Sequence, residues 1–477
     1  MLRGVLGGFR LSWTPILMTY FCYGASAVTG VAELFFQKDV LKLSPAEAAG
    51  IAFWLSLPWS MKMIAGVGSD VYPLFGSRRT AYLLLGAGLT LSGYGLLATS
   101  VDTKSAYLVA ALLVAIGFMV QDVVADALSV EVAERDEDIG QIQTLGRMAL
   151  LLGGISVGYL SGWLAGTFGS RLTFATATVL PILVSLSLTM SLRQRARPRP
   201  APAVAAAGPL SAGKARLVLA VGLCYAALGV GLETLQISFA REIVLVVSMV
   251  LISLLLQRVG ISRGVAVASI VIFLFRATPG VGQGYGYWAI DRLGFDQQFL
   301  GLLAQVSSVL SLLGLLVFRK TIVKRPVSFT LFWVVIAGTL LYLPNIGLFY
   351  GLHDWLGVSA RTLAFIDTTI SAPLGQLTMV PMLVLIAKSA PRGAEATMFA
   401  IMASLMNLAL SASQLFTQYL NELFHVTQQD YSNLGQLMII VGMIGLLPLL
   451  ALPLLWNEER GAEPGGVADP ERSALHG

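Results

Sequence analysis

The sequence predicts an all-α integral membrane protein with two six-helix bundles and an extra helix pair between them, about fourteen spans in total. Its 477 residues are 56 % hydrophobic and only 12 % charged, and the mean hydropathy is +0.77. Soluble domains carry roughly 25 % charged residues, so this chain has too little polar surface to cover a soluble core. Its charges also lie mainly in short loops. The lipid bilayer is therefore the predicted solvent.

The apolar segments approach the length of about 20 residues that a spanning helix needs. They group into an N-terminal bundle (11–192), an extra pair (216–258) and a C-terminal bundle (263–457). The basic, Pro/Ala-rich segment 193–215 is predicted to be a flexible cytoplasmic linker, and 458–477 a disordered cytoplasmic tail. The polar run GLETLQISFARE within the extra pair leaves open whether this pair is two spans or one bent helix.

Lys and Arg are concentrated at the N-terminus, in the loops that follow even-numbered spans and in the C-terminal tail. By the positive-inside rule this places both termini in the cytoplasm and requires an even number of spans. The predicted location is a bacterial inner (plasma) membrane. The net charge of +5 does not indicate a nucleic-acid partner, because the basic residues follow this topology.

The two bundles resemble each other weakly in sequence. KDVLKLSPAEAAG (38–50) and IDRLGFDQQFLG (290–301) each place an Asp, Asp39 or Asp291, before a short turn and a new apolar helix. Parallel six-helix halves with a midplane binding site between them are typical of one large transporter architecture.

A cluster of charges is predicted in the inner half of the membrane. Asp122 and Asp126 are four residues apart, so they share one helix face. Carboxylates inside a span are costly and normally face a cavity or a partner. Two so close together favour binding of a proton or substrate. The alternative is a structural ion pair with Lys62 or Arg147, and both interpretations stay open.

Arg276 lies near the middle of the predicted span 263–286, in FLFRATPGVGQGYGYW. An arginine at that depth, followed by Pro279 and several glycines, predicts an irregular helix beside water or ligand. Glu33 and Asp367 lie towards the outer side of their spans. Each is predicted to line an outer vestibule or to pair with Arg276.

Two further features lie outside these charge positions. In the loop GVGSDVYPLFGSRR (66–79), Asp70 can cap the next element or pair with Arg78 or Arg79, and the spacing of the glycines, the Asp and the basic pair favours a gating loop over one that only sets topology. The repeated GxxxG pattern within 154–166 predicts close helix packing. No Walker loop, HExxH or Cys/His cluster is present, so no catalytic residue, metal or cofactor is predicted and the chain is not expected to be an enzyme.

Four motifs resemble the folate–biopterin transporter family, a branch of the major facilitator superfamily. They lie in both bundles and in the right order, at 58–86, 121–131, 275–301 and 380–407. The resemblance implies a major facilitator-like fold and uptake of folates or pterins by alternating access, with proton symport.

Residue by residue, the resemblance points to Lys62, Asp70, Asp122, Asp126 and Arg276. It also implies that the loop containing Asp70, Arg78 and Arg79 locks the inward gate. Lys62 is a further candidate for this gate. It marks Pro391, Gly393 and Glu395 as motif positions. The extra pair 216–258 departs from the basic six-plus-six plan.

The chemistry of a folate fits these residues. Its two carboxylates need cationic partners, which Lys62, Arg147 and Arg276 supply, while Asp122 or Asp126 can accept from the donors of a pterin ring. The expected partners are this small molecule, a proton and the lipid bilayer, and the protein is expected to be monomeric. Two alternatives stay open: a permease for another organic anion such as a muropeptide, and a non-transporting pigment-protein assembly factor.

Overall fold

A computed structural model describes most of the chain, namely residues 10–133, 136–192, 212–235, 237–374, 379–389 and 395–461. Within these ranges α-helices dominate, with short 3-10 and π turns, and the only β-type pairing is an isolated bridge between Leu74 and Ser77. The prediction of an all-α protein is confirmed for this part of the chain.

The described residues of the N-terminal half form eight α-helices. In chain order they are α1 Thr14–Ala25, α2 Gly30–Phe35, α3 Pro45–Ser60, α4 Lys62–Val71, α5 Thr80–Thr99, α6 Lys104–Val132, α7 Asp136–Ala177 and α8 Val179–Leu192. Helix α3 begins with a capping box, in which the Ser44 hydroxyl accepts from the Glu47 N–H and the Glu47 carboxylate accepts from the Ser44 N–H. Reciprocal bonds of this kind satisfy donors that a helix start leaves free.

The extra pair forms two helices, α9 Ala212–Thr234 and α10 Ala240–Val259, rather than one bent helix. The Tyr225 hydroxyl and the Ser248 hydroxyl lie 2.6 Å apart and join the two helices. Helix α9 starts inside the predicted linker, whose residues 193–211 lie outside the described ranges.

Ten α-helices lie in the part of the C-terminal half that the structure describes. They are α11 Arg263–Arg276, α12 Gln283–Leu293, α13 Gln297–Lys324, α14 Val327–Phe349, α15 Leu352–Trp355, α16 Ala360–Ser371, α17 Met379–Ser389, α18 Glu395–Leu423, α19 Leu434–Ile444 and α20 Leu452–Gly461. Helix α20 runs past the predicted start of the tail at 458, and residues 462–477 lie outside the described ranges.

Ten helical segments of the described chain are long and apolar enough to cross a membrane, so the count of about fourteen is not confirmed. Three predicted spans, 45–67, 263–286 and 361–387, are interrupted, and none contains an unbroken helix of 18 residues. The segment Asp138–Thr189 covers two predicted spans, with a break in helical geometry at Gly169 (φ 79°). Leaving out the three interrupted spans and counting Asp138–Thr189 once turns fourteen predicted spans into ten segments. Length and hydropathy in sequence do not reveal where a helix breaks or where two spans run on as one helix.

The two halves pack along two pairs of helices. Helix α7 meets α13 where Gly158 and Gly162 face Gln305 and Gly301; a Cβ on Gly162 would lie 2.1 Å from the Gln297 carbonyl oxygen. Small residues allow this close approach. The repeated GxxxG pattern therefore packs helices, as predicted.

Helix α3 meets α18 on the other side of the molecule. The Ser56 and Ser411 hydroxyls lie 2.8 Å apart, and the Asn407 side-chain amide donates to the Trp59 carbonyl at 3.1 Å. Large apolar side chains such as Leu223 (72 % exposed) and Leu450 (76 % exposed) lie on the outside, as expected for a protein whose outer surface contacts lipid.

Candidate functional site

The first part of the candidate site is an ion pair between Lys62 and Asp122. Helix α3 contains Pro58 near its end at Ser60, and the chain resumes as α4 at Lys62. Lys62 Nζ donates to Asp122 Oδ2, and the ammonium lies 4.8 Å from the centroid of the Trp59 ring. The Lys62 side chain is 32 % exposed and that of Asp122 is 12 % exposed. The pair predicted as one alternative is therefore formed.

Asp126 lies one turn further along α6 and has neutral partners. It accepts a hydrogen bond from the Tyr20 hydroxyl of α1, and the Gln143 side-chain amide of α7 donates to it at 3.2 Å. Gln143 also donates to the Ser129 hydroxyl at 3.1 Å. Asp126 is exposed to the space beside these helices. A carboxylate held by neutral donors keeps its hydrogen bonds when its charge changes.

Arg147 lies one turn after Gln143 on α7. Its side chain is exposed and makes no hydrogen bond or ion pair with the residues that the structure describes. Sequence analysis missed Tyr20 and Gln143. A signal existed for Gln143, because it is four residues before Arg147 and so shares its helix face.

The loop after α4 is held by one arginine. Arg79 donates to Asp70 at 2.6 Å, to Glu131 at 2.7 Å and to the Ser69 hydroxyl at 2.8 Å. Asp70 thus pairs with Arg79, whereas Arg78 is exposed. All of these contacts lie within the N-terminal half.

The second part of the candidate site surrounds Arg276, the last residue of α11. The chain from Ala277 to Gly282 is not helical before α12 begins. At Gly282 φ is 64°, a backbone conformation that favours glycine. A Cβ there would lie 2.9 Å from the Thr417 methyl group, which would have to move. The irregular helix predicted after Arg276 is therefore present.

Helix α18 supplies the polar partners of this irregular segment. The Ser413 hydroxyl donates to the Thr278 carbonyl at 2.7 Å, the Thr417 hydroxyl accepts from the Gly280 N–H at 2.9 Å, and Asn421 donates to the Val281 carbonyl at 3.1 Å. Their spacing of four residues places the three side chains on one face of α18. Non-helical backbone at membrane depth needs such partners. Sequence analysis missed this polar stripe, although its spacing is visible in the sequence.

Arg276 itself is half-buried and has no hydrogen-bond or ion-pair partner among the described residues; its Nε is buried and unpaired. Asp367 accepts instead from the Asn345 amide at 3.0 Å, and its Oδ1 is buried without a partner. Glu33 accepts from the Thr29 hydroxyl at 2.5 Å. Neither carboxylate pairs with Arg276. A buried unpaired guanidinium nitrogen needs an explanation, and an anionic ligand supplies one.

A third feature joins the two halves at the predicted outer end, and we call it the outer bridge: Lys38, Asp291, Gln428 and Tyr431. Lys38 Nζ lies 2.6 Å from Asp291, which also accepts from the Tyr431 hydroxyl at 2.7 Å. Gln428 donates to the Lys38 carbonyl at 3.1 Å. The Asp291 of the sequence repeat is thus paired with the residue before Asp39, a contact that sequence analysis missed.

Other predicted positions are less informative. Pro391 and Gly393 lie outside the described residues, and Glu395 begins α18. The described ranges hold no group of three or more His, Cys, Asp or Glu side chains able to bind a metal ion.

The sequence matches the family model of the BT1 family over residues 24–468. It is 30 % identical over 455 residues to the folate-biopterin transporter of Synechocystis sp., covering 94 % of this chain and 83 % of that protein. It is 22 % identical over 443 residues to folate transporter 1 of Plasmodium falciparum, covering 92 % of this chain and 78 % of that protein.

The fold is similar to that of solved transporters. A crystal structure of a POT family transporter in complex with a thioalcohol-conjugated peptide superposes with a TM-score of 0.69 at 16 % identity, covering 94 % of this chain and 96 % of that one. The predicted major facilitator-like fold is confirmed. The relatives and fold neighbours are transporters, and the chain is not an enzyme. Because the family model matches most of its length, this chain belongs to the BT1 family, the folate–biopterin transporters that its motifs resemble.

Proposed function

We propose that this protein is a secondary transporter that takes up folates or pterins by alternating access between its two halves. The observation that carries the proposal is Arg276, a half-buried cation with no partner among the described residues beside an irregular helix. The similarity to the folate-biopterin transporter of Synechocystis sp. and to folate transporter 1 of Plasmodium falciparum supports the class of cargo. We take residues 11–192 and 263–457 as the two moving bundles, linked by 193–215 and the pair 216–258.

The proposed cargo contacts follow from charge. A carboxylate of the cargo pairs with Arg276, and the exposed guanidinium of Arg147 takes a second one, because arginine binds carboxylates in a planar, two-bond geometry. The pterin ring donates to Asp122 or Asp126. Lys62 is already paired with Asp122, so it holds that carboxylate in place. Cargo that binds to Asp122 therefore affects Lys62 through this ion pair.

We assign the transported proton to Asp126. Its partners Tyr20 and Gln143 are neutral, so protonation of this carboxylate breaks no ion pair. Protonation of Asp122 would leave Lys62 without its counter-ion, which is costly inside a membrane protein.

Gating is assigned to the two ends of the molecule. The outer bridge holds the outer ends of the halves together, and among the described residues Lys38–Asp291 is the only ion pair that joins the two halves. The loop contacts of Arg79 with Asp70 and Glu131 act within one half, where they hold the inner ends of α4, α5 and α6 as one body. We place both termini in the cytoplasm of a bacterial inner membrane and propose a monomer.

The test is uptake by purified protein in liposomes under an imposed pH gradient. Labelled folic acid and a labelled pterin are expected to accumulate, and unlabelled folate is expected to compete. If only a muropeptide competes, the protein is a permease for another organic anion. If no anion accumulates and the protein co-purifies with a pigment protein, it is an assembly factor and the proposal is overturned.

A further inference from the structure

A cavity of about 260 Å³ lies between the extra pair and the junction of the two halves. One wall comes from the break between α3 and α4, at Met61 and Ile64. A second wall comes from α18, at Ile401, and the third from α9 and α10. The cavity therefore touches the N-terminal half, the C-terminal half and the extra pair at once. It is separate from the proposed cargo contacts of Arg276.

The lining is suited to hydrocarbon. It consists mainly of aliphatic and Met side chains, and the Ser60 hydroxyl on its wall already donates to the Leu57 carbonyl. The neighbouring outer faces of α9 and α10 expose Leu223 and Val250, which are 72 % and 52 % accessible. A pterin ring placed here would leave its polar edge unpaired, which is costly. An acyl chain entering from the surrounding bilayer carries no polar group that would be left unpaired.

Arg258 is the single charged residue in this lining. It lies at the end of α10, is exposed, and has no ion-pair or hydrogen-bond partner within the described ranges. Predicted topology places this end at the cytoplasmic surface, where lipid headgroups lie. Basic residues between spanning helices at that surface bind anionic headgroups.

We propose that this cavity binds one anionic phospholipid, with an acyl chain between α4, α10 and α18 and the phosphate on Arg258. The lipid packs against the break that precedes Lys62, and it contacts both halves at once. The bound lipid therefore forms part of the packing surface at the junction of the two halves and can exchange with the bilayer. We expect the fraction of anionic lipid in the bilayer to set the rate at which the halves move relative to each other.

The test measures binding directly, by native mass spectrometry and by thermal stabilisation of the detergent-purified full chain. The probes are dioleoyl phosphatidylglycerol, dioleoyl phosphatidylcholine and inorganic phosphate. Phosphatidylglycerol is expected to give a retained one-lipid adduct and a higher Tm, whereas phosphatidylcholine and phosphate are not. Arg258→Gln removes the preference for phosphatidylglycerol, and Val218→Phe, which fills the cavity, removes the adduct.

Two matched variants serve as controls. Arg216→Gln removes an exposed arginine at the start of α9 that does not line the cavity, and Leu223→Phe adds the same ring on an exposed face. Both are expected to retain the adduct. The proposal is overturned if the two phospholipids bind equally, if phosphate alone reproduces the effect, or if Arg216→Gln loses as much binding as Arg258→Gln.

Discussion

The two halves of this protein treat their intramembrane charges differently. In the N-terminal half, Asp122 is paired with Lys62 and Asp126 is hydrogen bonded on two sides, while Arg147, which has no partner among the described residues, is exposed. In the C-terminal half, Arg276 has no partner among the described residues, and Asp367 has only an amide. Charges with partners hold a structure, whereas a charge without one is left for a ligand. The difference indicates that the C-terminal half supplies the main anchor for an anionic cargo, while the N-terminal half supplies the coupling chemistry.

The largest expected effect is at Arg276. Arg276→Ala removes the cation that we place against a cargo carboxylate, and losing one member of a desolvated charge pair costs roughly 2–5 kcal/mol. Uptake relative to substrate concentration, kcat/KM, is therefore expected to fall about 30-fold or more. Arg171→Ala is the control, because that half-buried arginine pairs with Asp102 outside the site. Normal uptake by correctly inserted Arg276→Ala protein would overturn the assignment.

Asp126 is expected to separate coupling from cargo binding. Asp126→Asn keeps the shape of the side chain and the contacts of Tyr20 and Gln143 but cannot release a proton. Accumulation under a pH gradient is expected to drop to the level seen without a gradient, while exchange of labelled for unlabelled cargo continues. Asp296→Asn, in an exposed outer loop, should change neither. A variant at Asp126 that still accumulates cargo against its gradient would remove this residue from the proton path.

The Lys62–Asp122 pair should behave as a unit. Lys62→Gln leaves a nearly buried carboxylate without its counter-ion and lowers the Tm of the purified protein. Its cost should be below the roughly 3–5 kcal/mol of a fully buried pair, because a third of the Lys62 side chain is exposed.

The double variant Lys62→Gln/Asp122→Asn is expected to recover most of that stability. If the double variant is as unstable as the sum of the two single variants, the residues do not act together, and the contrast between the halves weakens.

The smallest effect is expected at the outer bridge. Lys38→Gln removes an ion pair in which the Lys38 side chain is 9 % exposed and that of Asp291 is 32 % exposed. Both charges return to water when the outer ends open, so the pair is expected to contribute about 1 kcal/mol, the upper end of the range for exposed pairs, a shift of roughly fivefold in the ratio of open to closed outer ends. Spin labels at Val40 and Asp430, both exposed at this end, should report a larger fraction of long distances. Cys22 and Cys224 are first replaced by Ser.

Lys104→Gln is the control for that measurement. It breaks an ion pair of 3.1 Å with Glu47 that stays within the N-terminal half, so it should not move the labels. An equal change in both variants would mean that the outer bridge does not hold the halves together.

The sequence allowed prediction of what depends on local chemistry. Asp122 and Asp126 share a helix face because of their spacing, and the chain breaks after Arg276 because proline and glycine follow it. It did not reveal that Tyr20 reaches Asp126 across 106 residues, or that Lys38 meets Asp291 in the other half. Nor can the sequence show that Arg276 has no partner among the described residues, because that depends on where every neighbouring side chain lies. The span count differed for a related reason: hydropathy does not show where a helix is interrupted.

Helix α18 has a consequence for how cargo and motion are linked. One face of this helix bonds to α3 in the opposite half through Asn407 and Ser411, and a different face holds the irregular segment after Arg276 through Ser413 and Thr417. One helix therefore contacts both α3 of the opposite half and the segment that follows Arg276. A movement of Arg276 on cargo binding is expected to shift α18 against α3, so cargo binding and the relative motion of the halves are coupled through this helix.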